Sequence, residues 1–179
     1  MSKKFYTSDL HLFHNNIIKY CNRPCADIWE MHELIVNGLN EKVQPNDELF
    51  ILGDVSFYGG EKVQKILERI NGQKHFIIGN HDAKNMKNWS GWKSVNHYLE
   101  IKDEKQKVIL CHYPIESWNG MAHGSIHLHG HRHGVTVRHG GSGECTWGFR
   151  ADVGVDPWKF KAVSLDDLTK KWLAEGRIV

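Results

Sequence analysis

Seven residues whose side chains could bind metal ions, and one further histidine, stand in five short groups along the sequence. In chain order the groups are Asp9 with His11, Asp54, Asn80 with His81, His112, and His131 with His133. Carboxylate, amide and imidazole ligands in this mixture suit divalent cations of hard to borderline character, and no thiolate is needed. Two such cations held about 3.5–4 Å apart are a recurring means of hydrolysing phosphate esters. The residue types therefore predict a site for two divalent metal ions.

The spacing within the groups predicts how these side chains are aimed. Asp9 and His11 are two positions apart, as are His131 and His133. In extended backbone such residues point to the same side, so each pair is predicted to face one way. Asp54 has two carboxylate oxygens and could bridge both ions. Each group alone also fits an ordinary turn, cap or core residue, and it is the complete ordered set that favours a metal site.

Each group follows a segment that is predicted to be a β-strand. Apolar strands are expected at 4–8, 48–52 and 74–78, and they alternate with amphipathic helices at 28–39 and 61–70. This βαβαβ order predicts parallel strands with helices packed on the sheet. The first of these helices is expected to begin with a capping box, in which Asp27 is the N-cap and Glu30 its partner.

The second half of the chain predicts a different pattern. Strands at 97–101 and 107–111 are expected to form a hairpin, followed by a strand at 126–129 and two short strands within 146–155. A final helix is expected from Ser164, its N-cap, to residue 173. We expect one α/β domain spanning residues 1–179, in which the second half leans towards antiparallel pairing.

Composition narrows the class of protein. Of the 179 residues, 40% are hydrophobic and 25% are charged, which is typical of a globular protein. No signal-peptide core follows the N-terminal lysines, and no apolar run approaches the ~20 residues that cross a bilayer, so we expect a cytoplasmic protein without a membrane partner. The four cysteines have no Cys-x-x-Cys spacing, and they are expected to be free thiols. A formal net charge of +2 gives little support for a nucleic-acid partner.

The five groups resemble the five motifs of the calcineurin-like metallophosphoesterase superfamily. The motifs in this sequence are Asp9-Leu10-His11, Gly53-Asp54, Gly79-Asn80-His81-Asp82, His112 and Gly130-His131-Arg132-His133. The resemblance implies the fold of that superfamily, a four-layer α/β/β/α sandwich of two mixed β-sheets flanked by helices. It also implies that the metals lie at the strand ends of one edge.

The resemblance further implies a role for each residue. One metal would be bound by Asp9, His11 and His133, the other by Asn80, His112 and His131, with Asp54 bridging the two. His81 would stabilise or protonate the leaving oxygen, and Asp82 would orient it. A water shared by the two cations would lose a proton near neutral pH, and the resulting metal-bound hydroxide would attack phosphorus. Manganese is the first expectation for the two divalent ions, with iron, zinc and nickel as alternatives.

Two departures bear on the substrate. The protein Ser/Thr phosphatases of this superfamily continue the second motif as Gly-Asp-x-x-Asp-Arg-Gly, whereas residues 53–59 here contain no arginine. Their third motif ends in Glu, where this chain has Asp82. The sequence is more similar to the small bacterial and phage phosphodiesterase-like members. We therefore predict a metal-dependent phosphoric ester hydrolase (a phosphodiesterase or phosphatase) that acts on a phosphodiester or a small phosphomonoester.

Three questions stay open. A nuclease that cuts DNA or RNA, and a non-catalytic scaffold of the same fold, are the alternative functions. The oligomeric state is not predicted. Several residues close to the motifs in sequence could contact substrate or be purely structural: His14, Asn15, Trp118, His123, His127, His129, Arg132 and Arg150.

Overall fold

Four parallel strands form the first β-sheet of the computed structural model, which describes residues 2–134 and 149–176. In spatial order they are β1 (Lys4–Thr7), β2 (Glu48–Leu52), β3 (Gln73–Ile77) and β4 (Trp92–Asn96). An isolated antiparallel bridge joins Tyr6 of β1 to Val163. The three predicted strands are confirmed. The sequence pattern does not predict β4, because its residues are largely polar and only partly buried.

The second sheet is mixed. Its order is β5 (Tyr98–Asp103), β6 (Gln106–Cys111), β7 (Ile126–His129) and β8 (Phe149–Asp152). The hairpin of β5 and β6 is confirmed as antiparallel, but β6–β7 and β7–β8 are parallel. The expected antiparallel bias of the second half is therefore wrong. The segment between β6 and β7 returns along the sheet before β7 begins, which sets the two strands in the same direction. Part of the region predicted as two short strands, residues 146–148, lies outside the described residues.

Two of the helices, those that follow Asp27 and Ser164, begin where their capping residues predict. Helix α1 spans Asn15–Tyr20, α2 Ile28–Asn40, α3 Glu61–Arg69 and α4 Leu165–Ala174. Among the described residues, no helix has both the length and the apolar character needed to cross a membrane.

Two side chains cap helix starts by accepting backbone N–H groups. The carboxylate of Asp27 accepts the N–H groups of Trp29 and Glu30, at 2.9 Å each. Glu30 bonds the N–H of Ala26 rather than that of Asp27, so the expected capping box is replaced by a shifted variant. A complete capping box is found instead at α4, between Ser164 and Asp167.

Strand alternation divides the core of the first sheet between two layers. Leu49 and Ile51 of β2 pack against helices α2 and α3, whereas Phe50 and Leu52 face the second sheet. The opposing layer is supplied by β6 and β7, through Val108, Leu110, Ile126 and Leu128. Leu168 and Trp172 bring α4 into this same inter-sheet core. The two sheets therefore pack face to face, and helices α2 and α3 cover the outer face of the first.

One buried hydrogen bond ties the two sheets together. The hydroxyl of Tyr6, on β1, donates to Asp103 Oδ2, on β5, at 2.7 Å. Tyr6 is fully buried and Asp103 is 8% exposed. Burial raises the pKa values of both groups. Loss of the hydroxyl would leave a buried carboxyl group without this partner.

We expect Tyr6→Phe to lower the free energy of unfolding by about 1–3 kcal/mol, since a buried acceptor loses its donor. Urea denaturation measures this change. The matched control is Tyr98→Phe, which removes a hydroxyl bonded to the exposed carboxylate of Glu100. An equal loss of stability in both variants would contradict a special role for the buried bond.

Candidate metal centre

The five motifs meet because the strands before them end at one edge. Hydrogen bonds hold the loop after β1 beside the loop after β2: Asp9 N–H donates to Gly53 O at 3.0 Å, and His11 N–H donates to Asp54 O at 2.9 Å. Similarly, the N–H of Gly130 after β7 donates to His112 O after β6, at 3.0 Å. The N–H of His131 reaches across to the carboxylate of Asp9. The loops of both sheets thus form one connected rim.

The predicted ligands come together as two neighbouring groups. Ligand atoms of Asp9, His11 and His133, which we call the first group, lie within 4.8 Å of one another. The second group, Asp54, His112 and His131, meets the same criterion. Asn80 belongs beside the second group, because its Oδ1 atom lies 3.0 Å from His112 Nε2. All seven residues that the sequence predicts as ligands are therefore found at this one edge.

The carboxylate of Asp54 faces both groups. Its Oδ2 atom lies 3.6 Å from His11 Nε2, and its Oδ1 atom lies 3.4 Å from His112 Nε2. The side chain is only 1% exposed, so these oxygens look into the site rather than into solvent. Although burial opposes it, the contact with His112 lowers the pKa of Asp54. An ionised carboxylate with one oxygen on each side is what a bridging ligand requires.

The backbone that presents these side chains is strained. Positive φ angles between 48° and 70° are found at Asp9, His11, Asp54, His131 and His133. This left-handed region is sparsely populated by non-glycine residues, and such strain concentrates at functional sites. The prediction from spacing assumes extended backbone at both i, i+2 pairs. The positive φ angles show that these residues are not extended, so strand alternation does not set the directions of their side chains. For the last pair the predicted shared direction is also wrong, since His131 joins the second group and His133 the first.

Close approach of the backbone requires glycine at two of the motifs. A Cβ atom on Gly79 would collide with Oδ1 and the backbone nitrogen of Asp54, and one on Gly130 would collide with Ser8 and Asp9. Because these neighbours are themselves buried, the side chains could not move away. Glycine at these positions therefore allows the ligands to come together.

The buried ring nitrogens of His11 indicate whether the site is suited to a metal ion. Both ring nitrogens of His11 are buried and lack a hydrogen-bond partner among the described residues. Burial lowers the pKa of His11 to about 3, so its ring is neutral. Burial raises the pKa of Asp9 to about 7. Buried polar atoms are almost always satisfied in native proteins, and a neutral imidazole beside carboxylates is a donor set that suits a divalent cation. The residues fit such an ion.

Hydrogen bonds also orient two of the other imidazoles, those of His112 and His133. His112 Nδ1 lies 2.8 Å from the carbonyl oxygen of Leu52, which can only accept, so Nδ1 carries the proton and Nε2 faces the second group. His133 Nδ1 lies 2.7 Å from Asp156 Oδ2, which leaves Nε2 facing the carboxylate of Asp9, 3.8 Å away. Fixing the far nitrogen in this way is a common device around metal-binding histidines.

A buried arginine supports the first group, and the sequence motifs do not reveal it. Arg23 donates to both carboxylate oxygens of Asp156, at 2.8 and 3.0 Å. It also donates to the backbone carbonyls of Asp9, at 2.7 Å, and Leu10, at 2.9 Å. Arg23 therefore holds the first motif loop and, through Asp156, the ring of His133. Asp156 lies 133 positions away in sequence, and the carbonyls of Asp9 and Leu10 are backbone atoms, so local spacing carries no signal of these contacts.

His81 lies at the open side of the centre. It is exposed, its N–H donates to Asp54 Oδ1 at 2.8 Å, and its ring centroid is 5.8 Å from that of His11.

Asp82 has a different set of partners from the one that the sequence predicts. Its carboxylate accepts the backbone N–H groups of Gly79, Asp54 and Val55 at 2.7–2.9 Å, with a longer contact from Ser56. The chain turns after Gly79, which directs the carboxylate under the second and third motif loops. These contacts give Asp82 the role of a loop clamp, instead of the predicted role of orienting His81.

The other histidines near the last motif are packed on the second sheet. His127 is fully buried, with Nδ1 3.2 Å from Ile109 O and Nε2 accepting the N–H of Ile115 at 3.2 Å. His129 Nδ1 lies 2.8 Å from Gly130 O. Burial lowers the pKa of each to about 4. Neither belongs to a ligand group, and their contacts are structural.

One thiol lies unexpectedly close to the centre. Cys21, a free cysteine, forms a group with His133 and Asp156 whose ligand atoms are within 4.8 Å of one another. The expectation of free thiols is confirmed for Cys21, Cys25 and Cys111, while Cys145 lies outside the described residues.

The fold and the site together define a class of protein. Its members are α/β proteins with two sheets, in which residues that can bind metal ions cluster where the strands end at one edge. The sequence profile of the calcineurin-like phosphoesterase family matches residues 5–175. The chain therefore belongs to the calcineurin-like phosphoesterase family, as its motifs predict.

The chain is also similar to individual proteins. The chain is 33% identical over 187 residues to the uncharacterized protein MJ1445 of Methanocaldococcus jannaschii, covering 100% of this chain and 96% of that protein. It is 26% identical over 201 residues to the Gene 66 protein of Mycobacterium phage L5, covering 94% of this chain and 93% of that protein. Among solved structures, protein AQ665 of Aquifex aeolicus superposes with a TM-score of 0.73 at 20% identity, over 96% of this chain and 100% of that chain. This last similarity shows a shared fold.

We expect Asp156→Asn to weaken metal binding at the first group by about 10–100-fold, because His133 loses its ionised partner. Calorimetric titration of the metal-free protein with Mn²⁺ measures this, and the second group should keep its affinity. The matched control is Asp167→Asn, whose carboxylate pairs with Lys42 and caps α4. Wild-type affinity at both groups in Asp156→Asn would show that the contact does not support metal binding.

Proposed function

We propose that this protein is a dinuclear metal-dependent phosphoester hydrolase, acting on a phosphodiester or a small phosphomonoester. The observation that carries the proposal is the placement of the Asp54 carboxylate, one oxygen towards each ligand group. A site for a single ion would need no carboxylate shared in this manner. Membership of the calcineurin-like phosphoesterase family supports the reaction class.

The residues that would hold the ions follow from the two groups. Asp9, His11 and His133 would bind one cation and Asn80, His112 and His131 the other, with Asp54 contacting both. When bound, two divalent cations would activate a shared water and offset the negative charge of the phosphate. Manganese is our first proposal, and iron, zinc and nickel also suit these donors.

His81 is proposed as the group that assists departure of the leaving oxygen. Its ring lies on the exposed side of the centre, where a substrate can reach it, and its backbone N–H is fixed to Asp54. An imidazole can hold a proton near neutral pH and donate it to a developing alkoxide. The ring makes no contribution to either ligand group, which leaves it available for this role.

Removal of metal tests the proposal directly. We expect the protein to hydrolyse a nitrophenyl phosphodiester or phosphomonoester, to lose this activity in a chelator, and to regain it with Mn²⁺. Release of nitrophenolate is the measurement. If protein shown to hold two ions hydrolyses neither ester, the ions have a structural role or the chain is a scaffold, and the proposed reaction is wrong. Activity on oligonucleotides that exceeds activity on both small esters would favour the nuclease alternative.

Two substitutions separate metal binding from chemistry. We expect His81→Ala to retain both ions but to lose about 10²–10⁴-fold in turnover of an ester with a poor leaving group. The loss should be smaller for a nitrophenyl ester, because nitrophenolate departs without a proton. Asp54→Ala should lose metal as well as turnover, as measured by metal analysis of the purified protein.

His123, which the sequence left open as a substrate contact, is exposed on a short 3-10 turn before β7, at the other end of that strand from His131 and His133. It belongs to neither ligand group and therefore provides the matched control. His123→Ala should match the wild type in metal content and turnover. A His81→Ala protein with full activity on the poor leaving group would rule out the role assigned to that ring.

A further inference from the structure

A cavity opens directly beside the first ligand group. Its volume is about 390 Å³, and it is lined by Phe13, His14, Asn15, Asn16, Phe57 and Tyr58. The ring centroids of His14 and Phe57 lie 5.6 and 6.2 Å from that of His11. The cavity is therefore adjacent to the centre, and it can hold part of a molecule whose phosphate is at the metals.

One wall of this cavity is a partly exposed aromatic ring. Phe57 is 43% exposed, and its ring centroid lies 4.6 Å from that of His81 and 4.9 Å from that of His14. Tyr58, the next residue, is 50% exposed. Large exposed apolar side chains that are grouped at a functional site mark places where a ligand is bound.

The loop that carries Phe57 is held in place. Ser56 Oγ donates to the carbonyl of Leu12 at 2.8 Å and accepts the N–H of Tyr58 at 3.0 Å. The Phe57 ring is thereby presented from a loop fixed to the first motif. A fixed ring loses little conformational entropy when a ligand stacks on it, which favours binding.

Polar residues also line the cavity. His14 Nδ1 is buried and has no hydrogen-bond partner among the described residues. The side chains of Asn15 and Asn16 are exposed beside it. The amide groups of Asn15 and Asn16 can therefore contact the edge of a planar ring held in the cavity, whereas His14 Nδ1 has no accessible surface of its own.

We propose that this cavity is the leaving-group subsite, and that it selects phosphoesters whose leaving group carries a planar aromatic ring. The proposal rests on the proposed function, since it is the ring of His81, next to Phe57, that would serve the leaving oxygen. Phe57 is thus a specificity-determining residue. The planar ring can belong to a nucleobase or to an aryl group attached directly at the ester oxygen, and both stack by the same interaction.

Binding of phosphonates tests the subsite without requiring turnover, because their C–P bond is not hydrolysed. We would titrate the Mn²⁺-loaded protein calorimetrically with benzylphosphonate and with butylphosphonate, which differ in the planar ring. The methylenephosphonate analogue of adenosine 5′-phosphate, compared with that of ribose 5-phosphate, forms the second arm. At least one ring-bearing compound should bind about 5-fold or more tightly than its partner without the ring, since stacking of this kind contributes about 1–3 kcal/mol. The arm that shows the larger ratio identifies the aryl or the nucleobase source.

Variants assign the effect to Phe57. Phe57→Leu keeps an apolar side chain and should reduce the ratio to near unity, while binding of the ring-free partner and of two Mn²⁺ ions is unchanged. The control Tyr98→Leu removes an aromatic ring of similar exposure, 42% against 43% for Phe57, which stands on β5 and does not line the cavity, and it should leave the ratio intact. Ratios near unity for both arms in the wild type would overturn the proposal. So would a loss of the ratio on substitution of Tyr113, whose ring lies by the second group, but not of Phe57.

The outcome is separable from that of the proposed function. A protein that prefers the ring-bearing phosphonates but hydrolyses no ester would retain the subsite and lose the hydrolase assignment. A protein that hydrolyses nitrophenyl esters but binds both members of each pair equally would retain the hydrolase assignment and lose the subsite.

Discussion

The candidate metal centre depends on a single buried carboxylate that lies between the two groups of possible ligands. Asp54 is held at the end of β2, with one oxygen towards His11 and the other towards His112. A carboxylate in this position is costly to bury without cationic or hydrogen-bonding partners. The surrounding loops are therefore arranged around it, and the N–H of His81 is one of the groups that satisfies it.

Two further charged side chains, those of Asp82 and Arg23, hold the strained loops in position. Neither is a member of the first or the second ligand group. The carboxylate of Asp82 gathers backbone N–H groups from the second and third motif loops. The guanidinium of Arg23 gathers backbone carbonyls from the first loop and pairs with Asp156. Because five of the ligand residues have left-handed backbone, such fixed contacts are needed to keep them there. The strained backbone thus fixes the positions of the candidate ligand side chains.

The parts of the fold that follow from local pattern could be predicted from the sequence. Strands β1 to β3 each contain adjacent apolar residues shortly before a turn, and helices α2 and α4 begin at side chains that cap them. Strand β4 could not be predicted, because an edge strand with a polar sequence has no distinctive alternation. The direction of β7 could not be predicted either, since it depends on the path of the segment before it across the sheet.

The same division applies to the site. The ligand residues could be found because each follows a strand end in a short motif. Their distribution between the two groups does not follow from strand alternation, because left-handed backbone at His131 and His133 turns the two rings apart. The contact between Arg23 and Asp156 cannot be predicted from the sequence because the two residues are far apart in the chain. The clamp role of Asp82 cannot be predicted because its partners are backbone N–H groups, which any residue except proline could supply. Tertiary structure, rather than spacing, reveals these supports.

Anomalous diffraction from crystals soaked in Mn²⁺ measures the central feature most directly, because it locates each ion independently of activity. Two peaks about 3.5–4 Å apart are expected, one among Asp9, His11 and His133, the other among Asn80, His112 and His131, with Asp54 bound to both. A single peak, or a peak at Cys21, His133 and Asp156 in place of the second ion, would contradict a dinuclear centre bridged by Asp54.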